Sequence, residues 1–257
     1  MASLDQFALN GRRFVVTGAS SGIGRAVAGH LADAGASLVL VARREADLVS
    51  AVEEMHDKGQ TAAYVVADLS ERENLAAVAA SCKASVAGEV IDGIVNAAGV
   101  NLRQDVEEIS LDSWDLTLNL NLATPFFFAR EFVPEMRAQN YGRVINIASL
   151  QSTRAFPNGL AYGASKGGVC QLTRAMAEAW SRYGICCNAM APGFFPTELT
   201  APVFDSDESR NRASQQTAIG RNGELDDLFG LSVFLASAAS NYITGQTLAI
   251  DGGYSAK

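Results

Sequence analysis

Seven short apolar runs recur along the chain: RFVVT (13–17), SLVLVA (37–42), AAYVVA (62–67), IDGIVNA (91–97), RVINIAS (143–149), GICCNAMA (184–191) and TLAID (247–251). They are rich in β-branched and small residues and are continuous, with little polar alternation. Strands with that pattern are covered on both faces, as in a parallel sheet. Segments of helical character fall between them, at about 22–34, 44–58, 71–87, 111–138, 160–183 and 224–238. Parallel neighbours need a crossover, and a helix is the usual one. The alternation therefore predicts an α/β fold, a doubly wound parallel sheet with helices on both faces. No Pro- or Ser-rich linker, repeat or low-complexity segment divides it, so residues 1–257 read as a single domain.

Two local features refine this outline. SERE (70–73) reads as a capping box, with Ser70 as N-cap and Glu73 reaching back. Residues 192–223 are a long polar insert, expected to be a lid or binding loop (about 194–223) or to carry short helices of its own. It follows the sixth strand, at the carboxyl edge where such sheets bind ligands.

Composition narrows the function. At 48% hydrophobic residues, 257 residues can bury a sizeable core. A formal net charge of −8 argues against nucleic-acid binding, which needs a basic field. No apolar run is long enough to cross a bilayer, and MASLDQFALNGRR lacks the apolar core of a signal peptide, so a cytoplasmic location is expected. Cys82, Cys170, Cys186 and Cys187 form no C-x-x-C pair and read as buried small hydrophobes. His30 and His56 are the only histidines and lie far from any such cluster, so neither a metal site nor a Ser-His triad is expected.

Directly after the first run comes TGASSGIG (17–24). Gly18, Gly22 and Gly24 allow a tight turn, close approach to a pyrophosphate and packing of the next helix, whose N-terminal N–H groups then face the phosphates. The spacing departs from G-x-G-x-x-G, and a bland glycine-rich turn stays open at this point. NAD-binding sheets end the second strand with an acid that holds the ribose 2′-OH. Ala42 stands there instead, followed by Arg43 and Arg44, so NADP(H) is expected, because a guanidinium can grip a 2′-phosphate in bidentate fashion. Arg43 is the better candidate and Arg44 reads as the solvated start of a helix. Asp68 either accepts from an adenine amino group or is a turn residue. NAAG (96–99) provides the small residues a flat adenosine needs.

Tyr162 and Lys166 stand four residues apart and so share one helical face. A phenol with a pKa near 10 is a poor base at neutral pH. An ammonium at about 4 Å would favour the phenolate by about 4 kcal/mol at an effective dielectric near 20. A solvated helix face is the competing reading. Ser149, at the end of the fifth run, could bond a substrate oxygen as charge develops on it. An asparagine in the apolar helix LTLNLNLATPFFFA needs partners, and spacing alone does not separate Asn119 from Asn121.

Taken together, TGASSGIG, NAAG, a serine thirteen residues before YGASK, and PG at 192–193 resemble the short-chain dehydrogenase/reductase family over essentially the whole chain. The resemblance implies a Rossmann-type sheet in the order 3-2-1-4-5-6-7 and hydride transfer between nicotinamide and a carbonyl/alcohol pair. It implies Tyr162 as acid/base, Ser149 as its partner on the substrate oxygen, and Lys166 on the nicotinamide ribose, lowering the tyrosine pKa. Trp114, seven residues upstream, selects Asn121 to hold a relay water. The implied cofactor contacts run through Gly18, Ser20, Ser21, Gly22, Ile23 and Gly24, then Arg43 and Arg44. They continue through Asp68, Leu69, Asn96, Ala97, Ala98 and Gly99 to Tyr162 and Lys166, with Pro192, Gly193, Phe195 and Thr197 at the nicotinamide. Two departures stand out: NAAG replaces the commoner NNAG, and Ser21 stands where many NADP-dependent members carry a basic residue, which leaves more to Arg43.

NIASLQS and PGFFPTELT resemble sugar-acid members, in particular gluconate 5-dehydrogenase-like enzymes. Arg103, beyond the fourth strand, could meet a substrate carboxylate, with Arg154 a second candidate. A 3-oxoacyl-thioester reductase is the alternative activity, and a non-catalytic NADP-binding sensor the alternative class. The family also implies a homodimer or homotetramer built on the helices at 111–138 and 160–183 and the C-terminal strand.

Overall fold

The computed structural model describes residues 4–257. Seven strands, β1 (Arg13–Thr17), β2 (Ser37–Ala42), β3 (Ala62–Val66), β4 (Gly93–Asn96), β5 (Gly142–Ile147), β6 (Ile185–Pro192) and β7 (Thr247–Ile250), form one sheet in the order β3-β2-β1-β4-β5-β6-β7. Every pairing is parallel. The expected architecture and strand order are thus observed. All residues of β4, β5 and β6 are buried, while the edge strand β3 alternates and exposes Tyr64 and Val66.

Two cores flank the sheet, and strand alternation assigns residues to them. Phe14 and Val16 pack with Val27 and Leu31 of α1 (Gly22–Asp33), Leu48 of α2 (Glu45–Asp57) and Leu235 of a later helix. Val15 points the other way, into a core with Leu75 and Cys82 of α3 (Leu75–Ala84), Phe128, Met136, Met176 and Cys187. All four cysteines are free and buried, as small apolar side chains.

The helix expected at 111–138 is broken. It runs as α4 (Leu111–Leu118), a π turn (Asn119–Ala123), α5 (Thr124–Arg130) and α6 (Val133–Ala138). Pro125 and Pro134 each stand in the first turn of a new segment, where the missing N–H costs nothing. The Ser70 capping box does not form. The hydroxyl and amide of Ser70 donate to the Asp68 carboxylate at 2.7 and 2.9 Å, and a 3-10 turn (Arg72–Asn74) precedes α3. A carboxylate two residues away is a nearer and stronger partner than the next helix end.

Helix α7 (Leu160–Trp180) crosses between β5 and β6. Its Val169 and Met176 are core residues, and Trp180 stacks on Phe126 at 6.0 Å. The polar insert holds a 3-10 turn (Glu198–Thr200), α8 (Ala201–Phe204) and α9 (Asp207–Gln216), and α10 (Phe229–Ala236) closes the fold. Among the described residues no helix is long and apolar enough to cross a membrane.

Candidate active site

The carboxyl ends of β1 and β4 are neighbours although α1, β2, α2, β3 and α3 separate them in the chain, and the strand order reverses between them. A doubly wound sheet opens its ligand crevice at such a point. A cleft of about 640 Å³ lies there, bounded by the glycine turn on one side and the insert on the other. Thr17 ties its floor together. Its hydroxyl accepts the N–H groups of Ala97 and Ala98 at 3.0 and 3.1 Å and donates to the Val95 carbonyl.

The glycine turn is built for close approach. Gly18 has φ +67°, and a Cβ there would stand 2.8 Å from the Ala98 nitrogen. A Cβ on Gly24 would overlap the Gly18 carbonyl oxygen, so α1 can start against the turn only with glycine at that position. Ser21, the N-cap of α1, has extended backbone and makes no side-chain cap bond. The first-turn N–H groups of α1 are therefore available to an anion. These features fit a dinucleotide pyrophosphate.

The two arginines after β2 divide differently from expectation. Arg43 is largely exposed and pairs with Asp68 at 3.5 Å. Arg44 caps the start of α2 with its side chain about half exposed, as expected, but that side chain also folds back over the glycine turn. Its Nη2 donates to the Ser21 and Ser20 hydroxyls at 2.7 and 3.2 Å, its Nη1 to Glu198 at 2.9 Å, and its Nε pairs with Asp47 at 2.8 Å. The serines of the turn are acceptors within its reach, whereas Arg43 meets only the next strand's carboxylate. Burial opposes ionisation of Asp68, but the Ser70 bonds and Arg43 outweigh it and hold the carboxyl below its usual range.

On the other side, α7 presents Tyr162 and Lys166 on its buried face, 8% and 5% exposed. Lys166 Nζ donates to the Ile147 carbonyl at 2.6 Å, and burial lowers its pKa to about 8. Burial pushes the Tyr162 phenol up from its ordinary value, while a hydrogen bond with Ser149 and the charge of Arg103 pull it back. Lys166, expected to lower this pKa, does not offset the effect of burial. The ammonium is anchored on the strand, 5.7 Å from the phenol ring centre, and desolvation dominates. Ser149 Oγ accepts the Gln151 N–H at 3.1 Å, which leaves its proton free to face Tyr162 or a substrate oxygen.

Asn121 sits in the π turn and is 1% exposed. Its amide accepts from the Val100 N–H and donates to the Val100 carbonyl, both at 2.8 Å, and donates to Ser165 Oγ at 3.1 Å. It thus fixes the loop after β4 against α7. Asn119 instead donates to the Ser70 carbonyl at 2.6 Å, away from the tyrosine. Arg103 lies in the cleft with left-handed backbone (φ +53°) and donates to the Leu199 carbonyl of the insert at 3.0 Å.

Nearly all the expected cofactor residues line this cleft, from Gly18, Ser20, Ser21, Gly22, Ile23 and Gly24 to Leu69, Ala97, Ala98 and Gly99, and on to Pro192, Gly193, Phe195 and Thr197. Asn96 does not. It is 5% exposed and donates to Asn146 at 2.8 Å inside the sheet, which bonds Thr173 in turn. Its side chain falls on the core side of the strand, and a buried amide takes the partner nearest in the next strand. Arg154 is also drawn away, onto the Tyr254 ring and the Lys257 carbonyl. Phe156 and Phe194, with ring centres 6.0 Å apart, wall the cleft beside Gln151 and Asn101. Sequence reading missed these residues and Glu198, because nothing in PNG or TEL marks which loop side chains turn inward.

Such a cleft brings a hydride carrier to a proton donor, which is the chemistry of a class. The chain belongs to the short-chain dehydrogenase/reductase family, oxidoreductases acting on CH–OH groups. A family model described as "Enoyl-(Acyl carrier protein) reductase" matches residues 18–255. The chain is 36% identical to gluconate 5-dehydrogenase of Gluconobacter oxydans (strain 621H) over 98% of both chains. It is 35% identical to 2-dehydro-3-deoxy-D-gluconate 5-dehydrogenase of Bacillus subtilis (strain 168) over 97% of both. The crystal structure of a gluconate 5-dehydrogenase from Burkholderia cenocepacia J2315 in complex with NADP and tartrate matches with a TM-score of 0.94 at 38% identity, covering 100% of both chains.

Proposed function

We propose that this chain is an NADP(H)-dependent oxidoreductase interconverting a sugar-derived keto acid and its hydroxy acid, in the manner of gluconate 5-dehydrogenase. The observation that carries the substrate class is Arg103, a cation in the cleft close enough for its charge to act on the Tyr162 phenol. A carboxylate held there would leave the carbonyl of the same molecule near Tyr162 and Ser149. The names of the relatives support the same class. NADP in the related crystal structure, the missing acid at Ala42 and the placement of Arg44 support the phosphorylated cofactor.

In this reading the α1 N-terminus and the glycine turn hold the pyrophosphate, and Asp68, Leu69 and Ala97–Gly99 flank the adenosine. When bound, the nicotinamide supplies or accepts the hydride. Tyr162, whose phenol burial pushes up from its ordinary value, donates its proton to the carbonyl oxygen during reduction. Ser149 donates a second hydrogen bond to that oxygen, one of its own lone pairs being occupied by the Gln151 N–H. Lys166 holds a proton close to the phenol, and Asn121 keeps the β4 loop against α7. Both N–H groups of the Asn121 amide are engaged, so a relay water would rest on its free oxygen lone pair or on backbone of the π turn, which lies outside the i→i+4 ladder. Four free buried thiols fit work in a reducing cytoplasm.

The test is Arg103→Leu. Steady-state kinetics on 5-ketogluconate are expected to show KM raised about 10- to 100-fold, with a neutral diketone little affected, since a charge-assisted hydrogen bond contributes about 1.5–3 kcal/mol. Equal losses on both substrates would remove Arg103 from carboxylate recognition.

A further inference from the structure

Glu198 belongs to the insert, yet its carboxylate lies on the glycine turn, 177 residues away in sequence. Its Oε2 accepts from Ser21 Oγ at 3.2 Å and its Oε1 from Arg44 Nη1 at 2.9 Å. Arg44 at the same time donates to both serine hydroxyls. One guanidinium and two hydroxyls converging at one point form a donor set suited to a phosphate. The structure seats a side-chain carboxylate on it. Asp47, on the Nε edge of Arg44, adds a second negative charge and sits on α2, so it steers the arginine without entering the cleft. The Arg44 hydrogen bond holds the Glu198 carboxyl below its usual range, so it is ionised at neutral pH.

We infer that Glu198 is a specificity-determining residue, whose carboxylate competes with the 2′-phosphate of NADP(H) for Arg44 and Ser21. The inference rests on the NADP(H) reading above. An incoming phosphate must displace Glu198 from the guanidinium or accept its repulsion, whereas a cofactor ending in a free 2′-OH meets no such cost. The chain then discriminates between the two cofactors less sharply than Arg44 alone would allow. The neighbours of Glu198 extend the consequence into the substrate side. Thr197 packs within 3.2 Å of the position a Cβ on Gly22 would take, and the Leu199 carbonyl holds Arg103.

Calorimetric titration of the purified full chain with 2′,5′-ADP and with 5′-AMP tests this without turnover. The wild type is expected to bind 2′,5′-ADP more tightly than 5′-AMP. Glu198→Gln, at an exposed side chain, is expected to bind 2′,5′-ADP about three- to tenfold more tightly and 5′-AMP within about twofold of wild type. Adding Arg44→Met to Glu198→Gln is expected to abolish that gain. If the wild type favours 2′,5′-ADP but Glu198→Gln tightens neither ligand, or both equally, the inference fails and the cofactor reading stands. If the wild type shows no preference for 2′,5′-ADP, both fail.

Discussion

Lys166 carries a conflict between stability and chemistry. It is 5% exposed, its pKa is lowered to about 8 by burial, and its ammonium donates to the Ile147 carbonyl. Between about pH 8 and the ordinary lysine value the unfolded chain holds a proton that the folded chain has lost. Stability from this group therefore rises with pH across that window, and below it the folded chain bears the cost of a buried charge. Lys166→Met is expected to be roughly 1–3 kcal/mol more stable than wild type at pH 7, with the gap shrinking by pH 9.5. Other titrating groups are common to both proteins and cancel. Denaturant unfolding at the two pH values measures it, and a gap that is absent or constant with pH would contradict it. That Tyr162 and Lys166 share one helical face was legible in their spacing, whereas their roles and that of Ser149 came from the family resemblance. The electrostatics were not legible, since four-residue spacing says nothing of an ammonium captured by a strand carbonyl. Arg44 and Glu198 escaped for a related reason, because their partnership joins segments that only the fold brings together.

At the level of elements, the β1–turn–α1 unit was legible almost to the residue, because its glycines answer to local steric demands. Gly24→Ala places a methyl on the Gly18 carbonyl. Overpacking of this kind costs about 1–3 kcal/mol, and here it also pushes α1 away from the pyrophosphate site. A Tm loss of about 3–10 °C together with weaker NADPH binding is expected, from a thermal scan and a fluorescence titration. Unchanged binding would show that the turn does not hold the phosphates. The segment at 111–138 was less legible. Its apolar periodicity persists across Pro125 and Pro134, so a single helix fits the pattern. What interrupts it is tertiary, the demand of Asn121 for the Val100 backbone, and a π turn supplies the extra residue. The failed cap at Ser70 has a local origin instead, a carboxylate two residues away that took the hydroxyl first.

For the whole molecule, an acidic chain of formal charge −8 gathers Arg43, Arg44 and Arg103 around one cleft, an arrangement that focuses anionic ligands onto it. Its outer surface leaves Leu111, Leu116 and Phe127 of α4 and α5 exposed. These exposed apolar side chains lie on the helices through which the family resemblance implies association, and together they motivate the proposal of a homodimer or homotetramer. Light scattering on the purified protein is expected to give the mass of two or four chains, and a single-chain mass at micromolar concentration would refute it. The central claim is that Tyr162 moves the proton in an NADPH-driven reduction of a sugar keto acid. Initial rates of NADPH oxidation with 5-ketogluconate, for wild type and Tyr162→Phe, test it most directly. Wild-type turnover with NADPH favoured over NADH, lowered at least about 100-fold in Tyr162→Phe with NADPH binding retained, is the predicted result. Turnover that survives the loss of the phenol would contradict it.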